Sequence, residues 1–142
     1  MKISSKQSFT ILELTIVLAV LGLMTLLAIP NYQTFMTQRR LNGAARQVMS
    51  DLVAARMQAI TLSRAVRIEF SLDYSDCYTL DAAESALRKN IQANYYDVMV
   101  KASLTPLIFH PDGAASNLVI KVCNARGDKT ITISRVGRIK IN

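Results

Sequence analysis

The sequence has few of the residues that metal binding and covalent catalysis require. It contains two cysteines and one histidine, which together cannot complete a structural zinc site. It has no glycine-rich phosphate loop, no carboxylate pair at metal-binding spacing and no signature of a serine or cysteine nucleophile. The histidine, His110, precedes a Pro-Asp-Gly turn, where a hydrogen-bonding role is more common than a catalytic one. We therefore predict a protein that is not an enzyme and holds no metal and no cofactor.

Acidic residues are scarce near the C-terminus. The whole chain has 17 Lys and Arg against 10 Asp and Glu, a net charge of +7. Between residues 121 and 140, Asp128 is the one acidic residue. The basic residues of this segment are Lys121, Arg126, Lys129, Arg135, Arg138 and Lys140. Such a segment predicts either an acidic partner, such as nucleic acid, or an ordinary basic surface in solvent.

Polar residues are almost missing from residues 14–29. The exceptions are Thr15, Gly22 and Thr25. Counted from Phe9, the apolar run covers residues 9–29, about 31 Å as a helix, which is just enough to cross a bilayer core. The small-residue cleavage site of a secretory signal is missing. The pattern predicts a retained membrane-spanning helix after a short basic leader, residues 1–8.

Glu13 interrupts this apolar run about one helical turn after its start. A carboxylate inside a bilayer costs up to about 3 kcal/mol near the centre and less near an end. Two interpretations are therefore open. Glu13 either marks the edge of the membrane or has a cationic partner within the apolar surroundings.

The rest of the chain predicts an amphipathic helix followed by strands. Residues 30–63 continue the helix with an apolar stripe at spacings of three and four, and residues 64–142 form a β-rich head. Alternation predicts a strand at 64–71, a return strand begins at Cys77, and 81–94 is predicted as weak helix or loop. Later strands are predicted at residues 97–103, 106–110, 117–123, 129–136 and 138–141.

The apolar segment resembles the N-terminal signal of type IV pilins and pseudopilins. The matching sequence is FTILELTIVLAVLG followed by IPNY. The resemblance implies that a prepilin peptidase cuts between Ser8 and Phe9, that the new amine is methylated, and that Glu13 pairs with a neighbouring subunit's N-terminal amine. Ser8 stands where the family normally has glycine. Gly22 and Pro30 match helix-loosening positions, and a kink at Pro30 is also expected because proline lacks an N–H.

The second half is similar to FimT/GspH-type minor pilins. The likeness lies in DLVAARMQAITLSRAVRIEF, in IFHPDGAASN and in the terminal GRIK. It implies an α+β fold in which a long N-terminal helix, transmembrane in its first half, packs on a small antiparallel β-sandwich-like head of two small sheets. It further implies a single-pass inner-membrane protein with a periplasmic head. This protein would assemble with other pilin subunits into a type IV pilus or, alternatively, a type II secretion pseudopilus.

Some members resembling FimT bind DNA during natural transformation through a C-terminal Gly-Arg-x-Arg motif. The matching residues are Gly137, Arg138, Ile139 and Lys140, and the residues predicted to extend the patch are Arg126, Lys129 and Arg135. On a strand, Arg138 and Lys140 share one face. Lysine neutralises a phosphate but lacks the bidentate fork of arginine. The resemblance therefore implies double-stranded DNA binding without sequence specificity, and a purely structural role is the alternative.

Two further sets of residues carry open alternatives. If the head is exported, Cys77 and Cys123 predict a disulfide that closes a loop of about 45 residues and contributes roughly 4 kcal/mol. Otherwise they are free thiols that pack as small apolar side chains. Tyrosines could stack on nucleic-acid bases, although core or rim positions are more common. These tyrosines are Tyr74, Tyr78, Tyr95 and Tyr96.

Overall fold

One long helix precedes eight strands in the computed structural model, which describes residues 10–82 and 85–142. The helix α1 spans Ile11–Thr61. The strands are β1 (Val66–Phe70), β2 (Cys77–Ala82), β3 (Ser85–Asn90), β4 (Met99–Ala102), β5 (Leu107–Phe109), β6 (Leu118–Asn124), β7 (Gly127–Ile133) and β8 (Ile139–Ile141). The chain divides into two compact units between Phe35 and Met36.

Apolar side chains are exposed in the N-terminal unit. Ile11 is 83% exposed and Leu26 is 72% exposed. Among residues 10–82 and 85–142, however, no helix is both long enough and apolar enough to cross a membrane. The predicted membrane-spanning segment, residues 9–29, is therefore not confirmed. Phe9 and the predicted leader, residues 1–8, lie outside the described residues.

The start of α1 is capped by the side chain of Thr10. Its Oγ1 accepts a 3.2 Å hydrogen bond from the backbone N–H of Glu13, which is typical of an N-cap residue. Glu13 thus lies in the first turn, where the helix dipole favours a carboxylate. Further along, Gly22 and Pro30 both lie inside α1. The kink expected there stays a prediction.

Two four-stranded antiparallel sheets follow the helix. The N-terminal sheet has the order β3-β2-β1-β5, and the C-terminal sheet has the order β4-β6-β7-β8. Buried apolar side chains from both sheets and from α1, beginning at Leu41, form a single cluster. The α+β class is therefore confirmed, with the helix packed on antiparallel sheets as predicted.

The prediction of weak helix or loop at residues 81–94 is wrong, because β3 lies within it. Its six residues pair with β2 from Cys77↔Asn90 to Ala82↔Ser85. The sequence SALRKN lacks the β-branched and aromatic residues typical of strands. Pairing with β2 therefore determines this strand, and pairing partners are not visible in a local pattern. Arg88 places an exposed charge on this edge strand, which disfavours pairing with another chain.

A carboxylate on α1 ties the helix to the N-terminal sheet. Asp51 accepts hydrogen bonds from the Tyr78 hydroxyl and, at 2.6 Å, from Lys89 Nζ. Burial and the neighbouring Asp51 raise the pKa of Tyr78 above its usual range, so its hydroxyl stays protonated. Arg40, near the start of the second unit (Met36–Asn142), donates from Nε to Asp97 at 2.8 Å. These contacts fix the helix against the strands.

The C-terminus of α1 forms a Schellman motif with serine in the left-handed position. Ser63 has a φ of 49°. Its N–H donates to the Ile60 carbonyl, and the N–H of Arg64 donates to the Ala59 carbonyl at 3.2 Å. Glycine normally occupies this position because a Cβ disfavours positive φ. The motif therefore stores strain at Ser63.

We expect Ser63→Gly to stabilise the protein by about 1 kcal/mol, because the left-handed conformation then carries no Cβ penalty. Chemical denaturation monitored by circular dichroism measures the change. Ser63→Ala, which removes the hydroxyl but keeps the Cβ, is the matched control and should give no gain. Equal denaturation midpoints for the glycine and alanine variants would contradict the prediction that the Cβ of Ser63 is strained.

Candidate functional site

The outer surface of the C-terminal sheet carries a group of basic side chains, here named the basic face. Its members are Lys101, Lys121, Arg138 and Lys140. Neighbouring inward residues such as Ile120 and Ile131 are fully buried, so the alternate residues point outward. The register confirms the shared side, because Lys101 pairs with Lys121 and Thr132 pairs with Lys140.

Arg138 and Lys140 lie together, as the motif analysis predicts. They line a shallow depression of about 260 Å³ with Thr132, Ser134 and Asn142. Ser134 holds the turn before β8, because its N–H donates to the Arg138 carbonyl at 3.0 Å and its Oγ accepts from the Arg138 N–H at 3.2 Å. Ile139 and Ile141 pack against the core. The strand therefore presents both cations to solvent.

The other predicted basic residues do not join this depression. Lys129 lies on the same side of β7 as the buried Ile131, opposite to the basic face. It lines a separate cavity with Arg46 of α1. Arg126 is exposed in the tight turn between β6 and β7, beyond the paired part of the sheet. Arg135 is exposed in the turn before β8. Proximity in sequence grouped these residues, but strand alternation turns Lys129 to the other side of the sheet, and Arg126 and Arg135 lie in turns.

The basic face contains two lysines that were not among the predicted site residues. Lys121 belongs to the basic segment, whereas Lys101 precedes it by twenty residues. They meet because β4 and β6 pair directly. The alternation of each strand indicates only that its lysine lies on the outward side of that strand. The pairing of β4 with β6 rather than with β5 could not be deduced from spacing.

Gly137 of the predicted motif is required by packing. It has a φ of 72°, and a Cβ there would overlap the carbonyl oxygen of Gly113. Arg56 of α1 bridges the same place, donating from Nε to the Gly113 carbonyl at 3.0 Å and from Nη2 to the Val136 carbonyl at 3.4 Å. Two turns thus meet beneath one arginine. The glycine orients the final strand and carries no charge to a ligand.

The predicted disulfide is not present, and both cysteines are free. Strand β4 lies between them, because Val100 pairs with Val122 on one side and bridges to Ser75 on the other. Two strand spacings put the Cα atoms of Cys77 and Cys123 roughly 10 Å apart. A disulfide requires less than about 7 Å. Burial raises the pKa of the Cys123 thiol, which favours its protonated form.

Of the four candidate tyrosines, Tyr74 is the one beside the basic face, and it is 52% exposed. Tyr78 is buried against α1, Tyr95 packs on Gly43, and Tyr96 stacks on the Arg40 guanidinium at 4.4 Å. His110 belongs to the turn, its carbonyl accepting from the Gly113 N–H. Within the described ranges, no group of His, Cys, Asp and Glu could hold a metal ion.

Comparison with solved structures identifies the fold as that of a minor pilin. Two crystal forms of the type IV minor pilin FimU from Pseudomonas aeruginosa match the chain. One has a TM-score of 0.61 at 20% identity, covering 76% of this chain and 92% of FimU. The other has a TM-score of 0.58 at 19% identity, covering 72% and 92%. No curated protein sequence matches the chain.

The sequence profile of the family described as type II transport protein GspH matches residues 44–137. The chain belongs to this family, and the predicted FimT/GspH-type minor pilin is confirmed. It is a minor pilin or pseudopilin of the kind found in type IV pili and type II secretion systems. The match ends at Gly137, so Arg138 and Lys140 lie just beyond it.

We expect Gly137→Ala to destabilise the protein by more than about 2 kcal/mol, because positive φ and overlap with the Gly113 carbonyl both disfavour a Cβ. Urea unfolding measures the loss. Val136→Ala in the same turn is the control, since the Val136 side chain is exposed. Equal stability of the two variants would show that the turn can open without cost.

Proposed function

We propose that the protein is a minor subunit of a type IV pilus and joins the filament through the N-terminal part of α1. The observation that carries this proposal is the long row of exposed apolar side chains in the N-terminal unit, from Ile11 to Ile29. An apolar surface of this extent is unusual on a soluble monomer and is typical of an interaction surface. The equivalent helices of neighbouring subunits would cover it in a filament.

Glu13 is the assembly residue in this proposal. It lies in the first turn of α1 and makes no ion pair with another described residue. A carboxylate among apolar helices requires a cation to offset its desolvation. The N-terminal amine of a neighbouring subunit, produced when the prepilin peptidase cuts between Ser8 and Phe9, would supply that charge. Methylation of the Phe9 amine leaves the positive charge in place.

A type II secretion pseudopilus is the second candidate assembly. The description of the matched family favours it, whereas the likeness in fold to FimU favours the pilus. In this proposal both assemblies would use the same helix and the same ion pair, so the two candidates would differ in their partner subunits. Cross-linking in cells that make either filament would identify the partners.

We expect Glu13→Ala to leave cleavage before Phe9 intact and to reduce the protein in sheared filaments at least tenfold, since a tenfold loss corresponds to about 1.4 kcal/mol of the lost ion pair. Immunoblotting of the filament fraction measures the amount, and N-terminal sequencing measures cleavage. Thr15→Ala is the control, because the Thr15 hydroxyl donates to the Leu12 carbonyl of its own helix. Wild-type incorporation of Glu13→Ala would argue against the ion pair.

We also propose that the basic face binds double-stranded DNA during uptake. Its four cations make no ion pair within the described part of the chain. They lie on one side of a sheet, open to solvent, with uncharged threonines between them. Such a surface contacts phosphates and not base edges, so it would bind without sequence specificity and with strong salt dependence. A subunit without DNA contact is the alternative.

We expect Arg138→Gln with Lys140→Gln to weaken DNA binding about tenfold at low salt and to reduce the slope of log K against log salt by about 2. Fluorescence anisotropy with the full-length protein in detergent measures both quantities. Arg64→Gln with Arg67→Gln removes the same charge from exposed positions away from the basic face and is the matched control. Equal effects of the two pairs would indicate that only net charge matters.

A further inference from the structure

A second cation pair lies on the basic face outside the C-terminal motif. Lys101 of β4 and Lys121 of β6 are directly opposite each other across an antiparallel pair. Like charges in this arrangement repel. The next partner across the sheet is Thr130, which carries no charge to offset them. An anion between the two ammonium groups would convert this repulsion into a favourable contact.

The surroundings of the pair form a small site. Lys101 Nζ lies 5.2 Å from the centroid of the Tyr74 ring, which holds the ammonium by a cation–π contact. These residues line a depression of about 220 Å³ that also contains Ser103 and Val119. Ser103 Oγ accepts from the Val119 N–H at 3.1 Å, so its own proton remains available to donate. Two lysines and one serine with a hydroxyl proton free to donate therefore line the depression.

We propose that Lys101, Lys121 and Ser103 form a phosphate-binding site that extends the proposed DNA interface across the whole C-terminal sheet. This inference rests on the proposed DNA-binding function. Lys121 and Lys140 are separated by two strand spacings and two residues along the strands, roughly 12 Å between Cα atoms. One DNA strand places a phosphate about every 3.4 Å along the helix axis. Along the helix axis, the separation of Lys121 from Lys140 thus corresponds to about three to four phosphates of one strand.

The shape of the surface favours a polymer over a small anion. Both depressions are shallow and open on the same side of the sheet. Thr130 lies between Lys121 of one depression and Asn142 of the other. A free phosphate would lose little water in either depression, since neither encloses it. A duplex contacts both cation pairs at once, so the second contact forms at a high effective concentration.

The test uses full-length protein in detergent, a fluorescein-labelled 20-base-pair DNA and a salt titration. Lys101→Gln with Lys121→Gln should raise Kd about tenfold and reduce the salt slope by about 2, as in the Arg138→Gln, Lys140→Gln variant, and combining all four changes should abolish binding. Lys101→Arg with Lys121→Arg should restore affinity. The midpoint temperature of thermal unfolding should not be lower for the glutamine variant than for the wild type, because the substitutions remove a repulsive pair.

Distinct results separate this inference from the function on which it rests. If Lys101→Gln with Lys121→Gln binds DNA as tightly as the Arg64→Gln, Arg67→Gln control while the C-terminal pair weakens it, the second site is refuted and the DNA-binding function stands. If the wild-type protein binds no DNA at 50 mM salt, a condition where phosphate contacts are strong, the DNA-binding function itself fails.

Discussion

The contact on which the C-terminal sheet depends is made by Arg56, whose guanidinium reaches from α1 to two backbone carbonyls. Those carbonyls, at Gly113 and Val136, belong to turns far apart in sequence. The turns approach so closely that residue 137 cannot carry a Cβ. After this point β8 pairs with β7, and Ile139 packs against the core. Arg56 and Gly137 together therefore stabilise the turn that precedes the final cations.

Local periodicity predicted most of the fold, and long-range pairing accounts for what it missed. The stripe of α1 and the alternation of β1 are visible in the sequence because one face of each is buried. β3 is an edge strand whose Leu87, Arg88 and Asn90 are all exposed, so these residues show no alternation to detect. The outward placement of Lys140 followed from parity alone. Lys101 and the separation of Cys77 from Cys123 depend on where β4 inserts, which no local pattern encodes.

The residues that match the family profile include the packing contacts of the head, whereas two cations of the basic face lie beyond the matched region. The profile covers residues 44–137, which include the Arg56 contact and the two close glycines. Arg138 and Lys140 come immediately after the scaffold has set the strand direction. Their side chains contribute little to the core, because Ile139 and Ile141 supply the buried contacts of β8. A subunit can therefore change its charge at these positions without losing its fold.

Three of the four cations on the basic face are lysines, and this affects how DNA would be held. A lysine ammonium is a strongly hydrated point charge that cannot form the two parallel hydrogen bonds of an arginine fork. Contacts of this kind have little preferred orientation and exchange readily with salt ions. Under the proposed DNA-binding function, each contact would be weak, and affinity would arise when both cation pairs engage one duplex. A surface of that type would suit binding and release of DNA of any sequence, whereas a single bidentate site would favour tighter binding and slower exchange.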